Sequence, residues 1–150
     1  MMKNFRYPMD PILKQYEWEI DALKAELMTL NQAVNGRVAE MQKLTESVRA
    51  AEQEIQEICR ENAIIARDRK AIVEIYLRDQ RVRVEQKQQE IDQARALADA
   101  VFEQLNKKKQ SQRGIEKHRE RKKKDFDVEA IRRDALEADE LWLAKLVSTK

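Results

Sequence analysis

From Leu13 onward, the residues at alternating steps of three and four are Leu13, Tyr16, Ile20, Leu23, Leu27, Leu30, Val34, Arg37, Met41, Leu44, Val48, Ala51, Ile55, Ile58, Asn62 and Ile65. Fourteen of these sixteen are apolar, and the register never slips. A 3.5-residue repeat held over about seven heptads specifies a helix with one narrow apolar stripe. Left alone, such a stripe would hold its leucines in water at a cost of about 25 cal/mol per Å². It must meet a second helix.

A second, weaker stripe follows: Val73, Leu77, Val84, Ile91, Ala94, Ala98, Val101 and Leu105, then Ile115 and Phe126. Gln80, Lys87, Lys108, Gln112, Arg119 and Lys122 interrupt it. The stripe lapses across "ARDRKA", residues 66–71, which predicts a reversal there. The expected fold is all-α: a long two-helix antiparallel coiled-coil hairpin forming one domain over 1–150. Arm one runs about 9–65, the tip about 66–72 and arm two about 73–147. Pairing Ile65 with Val73 sets Leu13 opposite residue 125 and the basic stretch beside residues 14–31, and leaves the chain beyond about 125 without a partner. One continuous helix pairing in trans is the alternative, because no Gly or Pro marks the turn. Within the seam, Asn62 is expected to fix register. Arg37 is expected to carry its guanidinium outward, beside a bend at Gly36.

Composition agrees with this narrow architecture. Charged residues make up 39% and aromatics 5%, with two Gly and two Pro, so turn-formers and bulky core material are scarce. Charge is segregated along the chain. The stretch "NKKKQSQRGIEKHRERKKK", residues 106–124, holds ten Lys and Arg against two Glu, in a chain of net charge +2. That is the electrostatic footprint of a partner. A single cysteine, Cys59, allows no intrachain disulfide and suits a reducing compartment. The opening "MMKNFRYPMD" lacks a signal-peptide core, and no apolar run reaches the roughly 20 residues of a membrane span. A cytoplasmic protein is expected.

Catalytic chemistry finds little to stand on. His118 is the only histidine and sits within the basic stretch, so a His–Cys metal site cannot be assembled. There is no Gly-rich phosphate loop and no nucleophile elbow. The expectation is a non-enzyme without cofactor or small-molecule substrate. The informative residues are apolar ones that point off the seam. Trp18 lies outward near Phe5, Tyr7 and Ile12; Trp142, Leu143 and Leu146 lie in the overhang; Ile64, Ile72, Ile75 and Tyr76 cluster near the tip. Aromatics concentrate where interfaces have their energetic centres. For the tip cluster, packing across the turn is the competing reading.

The N-terminal "FRYPMDPILKQYEWEIDALKAEL" (5–27) resembles the opening of FliJ-type proteins, and "IEKHRERKKKDFDVEAIRRDALEADEL" (115–141) resembles their C-terminal signature. Ala135 and Leu136 depart from it, standing where polar residues are expected. The resemblance, shared with injectisome counterparts of the YscO type, implies a stalk protein of bacterial type III secretion. It implies two protein partners, a hexameric export ATPase and the cytoplasmic domain of an export-gate membrane protein, with secretion chaperones as a further class. The stalk would lie in the cytoplasm, peripheral to the inner-membrane secretion apparatus. Carried over by position, the ATPase-binding set is Phe5, Tyr7, Pro8, Pro11, Ile12, Phe126, Ile131, Arg132, Arg133 and Trp142. Outward Trp18 and the basic residues Arg113, Lys117, Arg119, Arg121, Lys122, Lys123 and Lys124 join it. The gate-facing set is Asn62, Ile64, Arg67, Arg69, Ile72, Ile75 and Tyr76. Whether the system is flagellar or an injectisome stays open, with the N-terminal resemblance favouring the flagellar one.

Two other function classes compete. A basic helix is an adequate non-specific phosphate site, although this one lacks interleaved aromatics for base stacking, so no nucleic-acid partner is expected. A generic coiled-coil tether would make the basic stretch merely a solvated face. Attachment to a membrane surface is disfavoured, because the basic region has no broad apolar opposite face.

Overall fold

The computed structural model describes residues 4–61 and 64–148, the side chains of 64 and 65 excepted. Two helices make up the fold: α1, Asp10–Cys59, and α2, Ile64–Ser148. No strand occurs among the described residues, and the chain is an all-α helical hairpin. It divides into two compact units, each holding a piece of both helices. Unit 1 is Met1–Asp21 with Leu105–Lys150; unit 2 is Ala22–Gln104.

In unit 2 the helices run antiparallel, as their cross-pairs show. Glu54 meets Arg69 at 3.2 Å, Glu52 meets Arg81 at 3.0 Å and Glu40 meets Lys87 at 2.6 Å. Between these rims lies the seam read from the sequence. From Leu23 to Ile58, every seam position of α1 is buried or half-buried, and Ala51 and Ile58 are sealed. On α2, Ala66, Val73, Leu77, Gln80, Ile91, Ala94, Ala98 and Val101 are buried. Ala51, Ile58, Ala66, Val73 and Leu77 form one buried cluster, with Val48 and Ile55 packed against it. Each large aliphatic side chain taken from water here contributes about 1.5–3 kcal/mol. Arg37 keeps its seam position by reaching across, its guanidinium donating to the backbone carbonyl of Glu90 at 3.1 Å. The helix passes through Gly36 without interruption.

The reversal is displaced from its expected place. Residues 66–72 are helical, and the chain leaves α1 at Cys59 and re-enters helix at Ile64. The amides of Arg60 and Glu61 donate to the carbonyls of Glu57 and Ile58, three residues back, at 3.1 and 3.0 Å. This tightening of the last turn ends a helix without Gly or Pro. "ARDRKA" looked like a lapse because Lys70 stands where an apolar residue was sought. Lysine fills such a place with its methylene stem while its ammonium leaves the seam; Lys70 is half-buried and pairs with Glu74. Ala66 thus connects to Val73 in an unbroken register, and α2 starts some two turns earlier than expected. Asn62 lies outside the described residues, as does the side chain of Ile64.

The earlier reversal shifts the whole ladder. In unit 1, Leu13 shares a groove with Glu116, Arg119 and Glu120 rather than facing residue 125. Lys108 pairs with Glu19 at 2.8 Å, and Arg119 pairs with Asp10 at 3.0 Å. The basic stretch therefore lies beside the first turns of α1, up to about Glu19, and the segment before it, so it overlaps only the start of the expected 14–31.

Candidate functional site

Unit 1 is built around how the chain enters α1. Residues 4–7 are non-helical, a turn follows at Pro8 and Met9, and α1 opens at Asp10. The carbonyl of Met9 accepts from the amides of Ile12 and Leu13. Pro11 fits this first turn because its missing N–H would have had no intrahelical acceptor. Asp10 places a carboxylate at the positive end of the helix dipole, where it is stabilised, and the same carboxylate receives Arg119.

The non-helical segment folds along α2. Tyr7 is buried, and its hydroxyl shares a hydrogen bond with Nδ1 of His118. The hydroxyl also lies 3.3 Å from Sδ of Met9, so it can donate to sulfur while accepting from the imidazole. Phe5 packs against Phe126 with ring centroids 5.5 Å apart, and the Arg119 guanidinium lies 5.7 Å from the centre of the Phe5 ring. These contacts form a latch of two aromatic pairs and one charge pair. It leaves an open groove of about 820 Å³ between the segment and α2, lined by Phe5, Arg6, Pro8, Lys122, Phe126 and Glu129 among others.

The latch is what the sequence reading missed. His118, for which the sequence offers no metal-binding partner, instead holds Tyr7. Locating the pair required the true register, which depended on the position of the turn. Tyr7 is therefore engaged inside unit 1, whereas Pro8, Pro11 and Ile12 are exposed and Phe5 is half-buried.

The expected docking residues in unit 1 mostly face solvent. Trp18 is 74% exposed, an extreme value for an indole. Arg113, Lys117, Arg121, Lys122, Lys123 and Lys124 are exposed along α2, while Arg119 is half-buried against Asp10 and Phe5. Beyond Phe126, Ile131, Arg132, Arg133 and Trp142 are all exposed. The geometry thus gathers an outward tryptophan, a row of cations and a bare helix end within one unit.

The charge pairs bias protonation locally. The hydrogen bond from Lys108 holds the Glu19 carboxyl below its ordinary range, and the same bond raises Lys108. In unit 2, Lys87 lowers Glu40, and Glu40 followed by Glu90 raises Lys87. Glu40 is exposed and the other three are half-buried at the rim, so each pair contributes little to stability.

Near the turn, Ile72, Ile75 and Tyr76 are exposed, with Ile72 the most so at 69%. Ile72 lies about 12 Å along α2 from its first residue, so packing across the turn does not occur for it. Arg67 is exposed, and Arg69 is drawn to Glu54. Among the described residues, no group of three His, Cys, Asp or Glu is placed to hold a metal ion. No described helix is long and apolar enough to cross a membrane.

Comparison with curated proteins and with solved structures returns no match. The family profile described as flagellar FliJ protein matches residues 5–146, from the aromatic segment before α1 almost to the end of α2. That span takes in the latch, both stripes and the bare helix end, and on it the chain belongs to the flagellar FliJ family of export stalk proteins.

Proposed function

We propose that this chain is the non-enzymatic central stalk of a flagellar type III export apparatus. In this reading unit 1 inserts into the hexameric export ATPase, and the turn-proximal residues of unit 2 engage the cytoplasmic domain of the export gate. The observation that carries it is the family match over residues 5–146. It is supported by the exposed cationic row of Arg113, Lys117, Arg121 and Lys122–Lys124, and by exposed Trp18, Ile131 and Trp142 in the same unit. Ile72, Ile75 and Tyr76 are the candidates toward the gate. The site of action is the cytoplasm, at the periphery of the inner-membrane apparatus, and secretion chaperones are a further partner class.

The mechanism follows from symmetry and linkage. A single pair of helices cannot satisfy six identical subunits equally, so it stabilises one subunit conformation over its neighbours. By linkage, ATP binding to the ring biases the stalk with the same coupling free energy. Cationic contacts with an acidic bore favour encounter and orientation more than affinity, which lets the stalk pass between subunits. The test is ATPase turnover with added stalk across a salt series. Stimulation that declines as ionic strength rises is expected; an unchanged rate at saturating stalk and low salt overturns the proposal.

A further inference from the structure

Past Phe126, α2 continues to Ser148 with each residue exposed apart from half-buried Ala130. Val128, Ile131, Leu141 and Trp142 are more than half exposed on it. Val128, Ile131, Ala135, Ala138 and Trp142 recur in steps of three and four, a heptad stripe in its own right. It is out of phase with the stripe that meets α1. Over the same span that one would continue through Glu129, Arg133, Leu136 and Glu140, which are mostly charged, and it turns apolar again past the span at Leu143 and Val147. The offset of one to two residues turns the new stripe by roughly 100–200° around the helix. Over residues 128–142 the surface that needs covering therefore faces away from the side of α2 that meets α1, and the described residues hold no further helix to cover it.

The flanking charges identify an occupant. With Val128 and Ala135 at position a, Arg132 and Asp139 both fall at position e. In an antiparallel pair, e faces e. Arg132 then meets the second copy's Asp139, and the two-fold axis repeats the contact, giving two attractive pairs. A parallel pair would set Asp134 at g against the second copy's Asp139, a like-charge clash on both sides. The antiparallel register also centres Ala135 on the second copy's Ala138 and sets Ile131 against the second copy's Trp142. Small residues meet at the crossing and large ones close its ends. A two-fold interface must be complementary to itself, and this stretch meets that condition.

We propose that two copies of the free chain pair antiparallel through residues 128–142 of α2. The pairing stands apart from the export reading, but it covers Ile131, Arg132 and Trp142, so self-association and capture of that face by another protein exclude each other. The paired chain is then a reserve form that must open before it docks.

Sedimentation equilibrium of the full chain over a wide concentration range tests this, with circular dichroism to confirm that each variant remains helical. Reversible dimerisation is expected. Arg132→Asp and Asp139→Arg should each raise the dissociation constant roughly tenfold, and the double reversal should restore it. A chain that stays monomeric throughout overturns the proposal, leaving the stripe to a different protein. A dimer indifferent to the single reversals overturns it as well, as does a double reversal that fails to restore pairing. Each outcome is read from sedimentation alone and is therefore scored independently of ATPase stimulation, which is measured separately.

Discussion

Units 1 and 2 are made from the same two helices yet hold them together by different means. Unit 2 relies on a row of aliphatic side chains, with Ile58, Ala51, Ile91 and Ala94 almost sealed and ion pairs only at the rims. Unit 1 buries little beyond Tyr7, Ile20 and Leu105, and relies on Tyr7 with His118, Phe5 with Phe126, and Asp10 with Arg119. Apolar burial is non-directional and scales with area, so unit 2 holds its register by shape and repetition. Hydrogen bonds and exposed charge pairs each contribute about 1 kcal/mol or less. Unit 1 is therefore the part whose segments can be released without unfolding the rest.

The largest effect expected is in unit 2. Ile58→Ala removes a sealed side chain and should cost about 2–4 kcal/mol, read as a fall in the urea midpoint. A cost under about 0.5 kcal/mol, the range of surface substitutions, would mean that the seam is not what holds the unit. Tyr7→Phe should cost only about 1 kcal/mol globally. It should, however, raise amide exchange at residues 4–9 while leaving residues 40–58 protected. Equal loss of protection in both stretches would erase the distinction between the units.

Gln80→Leu comes next, with an expected gain of about 1 kcal/mol, because a polar seam residue usually specifies register at some expense in stability. Acid titration separates the rims from the seam. Glu19 and Glu40 are lowered on folding, so what they contribute is present above the ordinary carboxylate range and is lost as pH falls through their lowered values. Lys87 and Lys108 are raised, so their contribution is present at neutral pH and lost only as pH climbs through their raised values. A shallow acid decline that Glu40→Gln reduces is expected in the denaturation midpoint against pH. The smallest stability effect belongs to Trp18→Ala, within about 0.5 kcal/mol, because an indole 74% exposed packs on little. Its expected consequence is instead a reduced stimulation of the export ATPase.

Much of the architecture was legible in the sequence because a heptad repeat states both the helix and the need for a second one. Each described seam position of α1 reads as buried or half-buried. Arg37 departs from the expected outward course, its guanidinium crossing to the Glu90 carbonyl of α2. The turn was not legible. Helices conventionally end at Gly or Pro, and α1 ends instead on a tightened last turn whose signature is geometric. Reading Lys70 by polarity rather than by its methylene stem moved the reversal into what is helix, and the ladder moved with it. The latch was hidden for the same reason, since Tyr7 and His118 are neighbours only in the correct register. The exposure of Trp18, Ile72 and Ile75 was readable from phase alone.

A core one residue-row deep has a consequence for how such a protein can change. Apart from the latch and the rim ion pairs, only the stripe answers to folding; the rest of the circumference of α1 and α2 carries little of the stability. New partners can be courted by repainting that circumference, one outward residue at a time, without disturbing the zipper beneath.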